Sequence, residues 1–169
     1  FSKSNNPELQ ITGSWNPVYN SGQIQAYFEV GGCAMTTGNI QLEENIWYHV
    51  MSIWDGTDFV LYIDGILQTE GSEATHVAPN TSSTFSIGKS LLHHQPFHGI
   101  IDDVLIINGI VSPQDVMLFY QNNVASINNL YNVLVHYNFN EGSGDTLNDL
   151  SGNNNHGDIF EAEWIPINP

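Results

Sequence analysis

Two acidic clusters hold the residue types from which a cation site is built. Asp102 and Asp103 lie in the apolar run from Ile100 to Ile107, and Asp149 opens the stretch Asp149-Leu150-Ser151-Gly152-Asn153-Asn154-Asn155-His156-Gly157. Alternation along a strand over 100–107 puts Asp102 with Ile100, Val104 and Ile106, and Asp103 with Ile101, Leu105 and Ile107. Both faces are apolar, so at least one carboxylate is costly to bury unless it is paired or metal-bound. The chain offers 18 acids against two basic residues, Lys3 and Lys89, for a formal charge of −16. With so few cationic partners, calcium is the expected one, since it prefers carboxylate, amide and backbone oxygens. Asp149, Asn153 and Asn155, with carbonyls freed beside Gly152 and Gly157, supply such oxygens in one loop. The expected metal ligands are therefore Asp102, Asp149, Asn153 and Asn155. The plainer reading is that Asp102 accepts backbone N–H bonds and Asp149 is an ordinary turn residue.

A second chemistry lies in Gln23-Ile24-Gln25-Ala26-Tyr27-Phe28-Glu29-Val30, where Gln23, Gln25, Tyr27 and Glu29 alternate with apolar residues. One aromatic beside amides and a carboxylate is what sugar recognition uses: a platform for the C–H face and partners for hydroxyls. Trp54, Trp15 and Tyr19 are candidates to extend that face. The plainer reading is a solvated strand face with both tryptophans in the core. His93, His94 and His98 flank Pro96, which disfavours a helical ligand geometry, so they read as an exposed loop. Catalysis finds no footing. Glycosidases place two carboxylates about 5 to 9 Å apart across a bond, whereas Glu43-Glu44 and Asp102-Asp103 are adjacent and diverge along a strand. A uronate lyase would want cationic groups for its enolate, and no Gly-x-Ser-x-Gly turn is present. The chain reads as a non-enzyme.

Composition narrows the partners further. Nothing neutralises phosphates, which excludes nucleic acid, and anionic membranes fall on the same ground. No run reaches the roughly 18 to 20 apolar residues of a membrane span. A single cysteine, Cys33, forbids an intrachain disulfide. The N-terminus, Phe-Ser-Lys-Ser-Asn-Asn, lacks signal-peptide character, so a secreted form would carry its targeting segment upstream. Asn80-Thr81-Ser82 is a glycosylation sequon whose use depends on the organism.

The elements that must position these groups are mostly strands. Alternating or apolar runs predict strands over 23–30, 47–54, 59–63, 84–88, 100–107 and 134–139, with turns at Asp55-Gly56-Thr57 and Asp64-Gly65. Ser112-Pro113-Gln114-Asp115 predicts one short helix, with a serine cap and proline at the first helical position. The polar stretch 122–132 reads as a linker and 140–157 as loop. Many short strands with Gly, Asn and Asp turns predict an all-β chain, an antiparallel β-sandwich or jelly roll with one short helix.

Several motifs then match a known pattern. Trp47-Tyr48-His49-Val50, Trp54-Asp55-Gly56 and Leu61-Tyr62-Ile63-Asp64-Gly65 resemble the central hairpin of laminin-G-like, concanavalin-type jelly-roll domains. Ile87-Gly88, Phe97 to Val104 and the Ser112 helix resemble the C-terminal half of the same family. Leu134 to Gly144, Asp149 to Gly157 and Trp164 resemble its opening, placed here after the helix. Residues 1–123 are thus expected to end one domain, 124–130 to link, and 131–169 to open a second repeat, or, permuted, to complete the same sandwich. The resemblance implies that Trp47 packs in the core. It also implies a structural calcium between the opening loop and the aspartate of the last strand. Its functional implication is a non-catalytic, calcium-stabilised carbohydrate-binding or adhesion module at the cell surface or outside the cell. The expected partner is a glycan or another extracellular ligand, in a tandem array of such domains. The alternative is a spacer repeat of a large adhesin with no ligand of its own.

Overall fold

The computed structural model describes residues 7–11, 23–29, 33–55, 59–69, 85–89, 96–121 and 130–166. The chain divides into two compact units: Phe1–Phe97 with Ile110–Asn122, and His98–Gly109 with Asn123–Pro169.

The first unit holds two antiparallel three-stranded sheets. One is β1 (Pro7–Ile11), β2 (Gln23–Glu29) and β3 (Cys33–Gln41), with β2 in the centre. The other is β4 (Val50–Trp54), β5 (Phe59–Ile63) and β6 (Ile66–Thr69), with β5 in the centre. In β5, Leu61, Tyr62 and Ile63 are all buried, Leu61 and Ile63 completely. Burial on consecutive positions means that both faces of this strand are covered, which explains its unbroken apolar run. β5 turns into β6 through Asp64 and Gly65, at φ 52° and 75°. This two-residue turn with both centres left-handed matches the twist of the strands it joins. Asp64 also ties the turn back to the chain before β4. Its N–H donates to the His49 carbonyl at 2.8 Å and its Oδ1 accepts the His49 N–H at 2.8 Å.

The helix α1 (Pro113–Gln121) begins as its sequence predicts. Ser112 Oγ accepts the Asp115 N–H at 3.2 Å and donates to Asp115 Oδ2 at 2.7 Å, a reciprocal cap. Val116 and Phe119, three residues apart on one helical face, are its buried side chains.

The second unit is built on β7 (Val104–Ile107) paired antiparallel with β8 (Val133–Tyr137). β8 belongs to the segment expected to open a second repeat, and it pairs with the last strand of the preceding segment in the same chain. The register gains one residue on β8: Ile106 faces Val135 and Ile107 faces Val133, so Leu134 is the bulged residue. β9 (Thr146–Leu147) and β10 (Gly157–Asp158) pair antiparallel and close the Asn148–His156 loop at its base.

Several expectations need correction. The strand expected over 100–107 starts only at Val104, because Asp103 adopts φ 48° and breaks the extended backbone. Alternation therefore does not assign Asp102 and Asp103 to opposite faces. Residues 85–88 do not form the expected strand, and the chain bends at 87 and 88; Gly88, at φ 77°, turns it so that its carbonyl accepts the Phe97 N–H, beside an isolated bridge between Lys89 and Pro96. Trp47, expected in the core, is 58% exposed, since β4 starts three residues later and no pleat directs it inward. Five strands, β1, β3, β6, β9 and β10, lie outside the expected ones.

Candidate functional site

The densest polar construction among the described residues is the loop from Asp149 to Asn155 beside β8. Asp149 is buried, 7% exposed. Its Oδ1 accepts the N–H of His136 at 3.0 Å and of Ser151 at 2.9 Å. Its Oδ2 accepts the N–H of Asn155 at 2.9 Å and the Ser151 hydroxyl at 2.8 Å. Burial by itself would push this carboxyl up; the four donors outweigh it and hold the pKa at about 2. The N–H of Asp149 donates in turn to His156 Nδ1 at 3.1 Å, so that ring nitrogen is an acceptor here.

The same loop serves the outer edge of β8. The bulge at Leu134 frees its carbonyl, and Asn155 Nδ2, Ser151 Oγ and Asn153 Nδ2 stand 2.9, 3.1 and 3.3 Å from it. Asn153 Nδ2 also reaches the Val133 carbonyl at 2.8 Å, and Leu150 N–H donates to the His136 carbonyl at 2.8 Å. Side chains and one loop amide thus take the place a further strand would occupy. Tyr137 closes the far side by donating its hydroxyl to the Asn155 carbonyl.

This geometry tests the calcium expectation. An ionised carboxylate has about four acceptor positions, and all four of Asp149's are filled by donors. The amides of Asn153 and Asn155 present Nδ2, not oxygen, to the carbonyls around them. Asp102 has a separate partner, the Asp103 N–H at 3.0 Å. No group of three or more His, Cys, Asp or Glu side chains able to hold a metal occurs among the described residues. As arranged, Asp149, Asn153 and Asn155 do not fit a calcium ion. The Asp103 carboxyl is pushed up by burial and by the neighbouring Asp102, against the pull of His136. Glu141 accepts the Asn148 N–H at 2.8 Å through Oε1, while its Oε2 is buried with no hydrogen-bond partner.

The sugar-type face is placed by backbone register. Gln23, Gln25, Tyr27 and Glu29 hold alternate positions of β2, the central strand of its sheet. Tyr27 lies opposite Glu8 on β1 and Met35 on β3; Gln25 lies opposite Gln10 and Thr37. Residues directly opposite share a sheet face, so Glu8, Gln10 and Thr37 join this polar set. Sequence reasoning missed them because β1 and β3 were unrecognised; Pro-Glu-Leu-Gln-Ile, with its own alternation, was the available signal. Trp54, on β4, is half-buried. Trp15 and Tyr19 lie outside the described residues, as do His93, His94 and the sequon at Asn80; His98 is exposed. Glu43 and Glu44 are both exposed.

Among the described residues, antiparallel sheets and one capped helix make an all-β chain. A family model described as the Concanavalin A-like lectin/glucanases superfamily, of laminin-G type, matches residues 1–117, and the chain belongs to that family. The Asp149 loop lies beyond the matched span. Among solved structures, the chain is similar to the crystal structure of an S-layer domain-containing protein from Clostridium thermocellum, at 24% identity and a TM-score of 0.41. That similarity covers 71% of this chain and 59% of the other. No curated protein matches the chain. No described helix is long and apolar enough to cross a membrane.

Proposed function

We propose that the chain is a non-catalytic module of an extracellular or cell-surface protein that binds a glycan or another surface ligand through the β1–β2–β3 sheet. The observation that carries this reading is the register of that sheet. In a member of a lectin/glucanase superfamily, it brings Glu8, Gln10, Gln23, Gln25, Tyr27, Glu29 and Thr37 to one face. Amides, carboxylates and a hydroxyl around one aromatic suit the alternating hydroxyls and C–H patches of a sugar. The non-catalytic part rests on the sequence, which has no Glu-x-Asp-x-x-Glu-like cluster of carboxylates and no arginine to hold a uronate. Calcium stays an expectation of the acidic composition and of the resemblance, and the donors around Asp149 put protein groups in its place. The division at 123 and 131 belongs to the same proposal. The pairing of β7 with β8 supports the form in which the tail completes the preceding segment.

The spacer reading, one repeat of a larger adhesin without its own ligand, is favoured by a different observation: Trp54 is half-buried, as a packing residue is. A glycan array distinguishes the two. The proposal predicts retention of a restricted set of glycans by the wild-type chain, and at least a tenfold weaker signal for a folded Tyr27→Ala variant. A folded wild-type chain that retains no glycan would leave the spacer reading.

A further inference from the structure

We propose that the Asp149–Asn155 loop is a metal-free clasp, in which protein donors hold an anion and cap the open edge of β8 where a cation was expected. The carboxylate is the first argument. Three backbone N–H groups and one hydroxyl, at 2.8 to 3.0 Å, are aimed at its two oxygens. A calcium ion would need those lone pairs at about 2.3 to 2.6 Å, with four or more further oxygens. It would meet the positive ends of the N–H dipoles instead, and binding would require the donors to swing away together.

The amides are the second argument. Asn153 and Asn155 direct Nδ2 at the carbonyls of Val133 and Leu134. Turning either amide to offer its oxygen inward would set oxygen against oxygen, so the edge of β8 fixes their orientation. Those two carbonyls of β8 are thereby engaged by amide donors.

Ser151 joins the two halves. Its oxygen accepts from Asn153 N–H at 3.2 Å and Asn153 Nδ2 at 3.0 Å, while its single hydroxyl proton goes to the Asp149 carboxylate. A donor to an ionised acceptor makes the stronger bond, so the Leu134 carbonyl is left chiefly to Asn155 Nδ2, while the two amide protons of Asn153 go to its nearer acceptors, the Val133 carbonyl and Ser151 Oγ. Of the loop residues that approach the anion, Asn155 is held by the strand edge directly and Ser151 through Asn153. The order of the loop and the charge of Asp149 depend on each other.

The test is thermal unfolding of the whole chain in EDTA and in millimolar calcium, for wild type, Asp149→Asn and Asp102→Asn. The clasp predicts that the change in midpoint between the two buffers is the same for wild type and Asp149→Asn, to within about a degree. Asp149→Asn, which puts an NH2 where donors converge, should lower the midpoint by several degrees, equally in both. A reversible calcium gain of several degrees that Asp149→Asn abolishes would overturn the proposal. A gain that survives Asp149→Asn would put the ion elsewhere and leave the clasp standing. Should Asp149→Asn fail to fold, a calcium titration of the wild type followed by the Ser151 and Asn155 amide resonances decides. The clasp predicts that they stay in place, and a saturable shift of both would contradict it.

Discussion

At Asp149 burial and hydrogen bonding act in opposite directions, and the sign of the balance sets a pH dependence. Burial favours the neutral acid, and the donors from Ser151, His136 and Asn155 favour the anion strongly enough to bring the pKa from 3.8 to about 2. The folded value lies below the unfolded one, so the group contributes stability above pH 3.8 that is lost as pH falls from there through about 2. Nearly two pH units correspond to roughly 2 kcal/mol. Many of the 18 acids also titrate in this range, so the informative quantity is wild type minus Asp149→Asn. We expect that difference in unfolding free energy to shrink between pH 5 and pH 2 in urea titrations, and a pH-independent difference would contradict the assignment. The sequence exposed part of this. Asp149 two residues before Ser151 is a turn signature, and the Asn-rich loop was recognisable as a supply of oxygens. Which atoms of those amides face inward was not legible. It depends on the bulge at Leu134, and that bulge comes from the pairing of β8 with a strand nearly thirty residues away.

Among the elements, those with local causes were readable and those with distant ones were not. The helix α1 follows from Ser112 and Pro113, and the β5–β6 turn from Asp64-Gly65, because cap and turn chemistry act over a few residues. β3 was missed since Cys33-Ala34-Met35-Thr36-Thr37-Gly38-Asn39 has no clean alternation, and its strand state comes from pairing with β2. Asp102 was misplaced because one left-handed residue, Asp103, ends a pattern whose apolar composition continues. Two substitutions check the local causes in one urea series. Ser112→Ala removes the cap and should cost about 1 kcal/mol. Gly65→Ala forces a side chain onto φ 75° and brings its Cβ to 3.0 Å from Met117. The Met117 chain can yield, so the backbone sets the cost, about 1 to 2 kcal/mol. A neutral Gly65→Ala would mean that the turn is not left-handed.

For the whole molecule, charge and connectivity matter more than any one contact. A net charge of −16 with two lysines keeps phosphate polymers away and leaves carboxylates to be stabilised by something other than ion pairs. For Asp149 in the second unit that something is three backbone N–H groups and a serine hydroxyl, which explains how so acidic a chain holds a buried aspartate without arginine. Family membership over residues 1–117 accounts for the first unit; the strand that completes β7 comes from beyond that span. The most direct measurement of the central claim is amide hydrogen exchange in EDTA, read at His136, Ser151 and Asn155. A clasp made of protein donors alone predicts protection at all three, unchanged when calcium is added. Exchange at unprotected rates in EDTA, with protection of Ser151 and Asn155 appearing only with calcium, would show that the loop needs the metal and contradict the account.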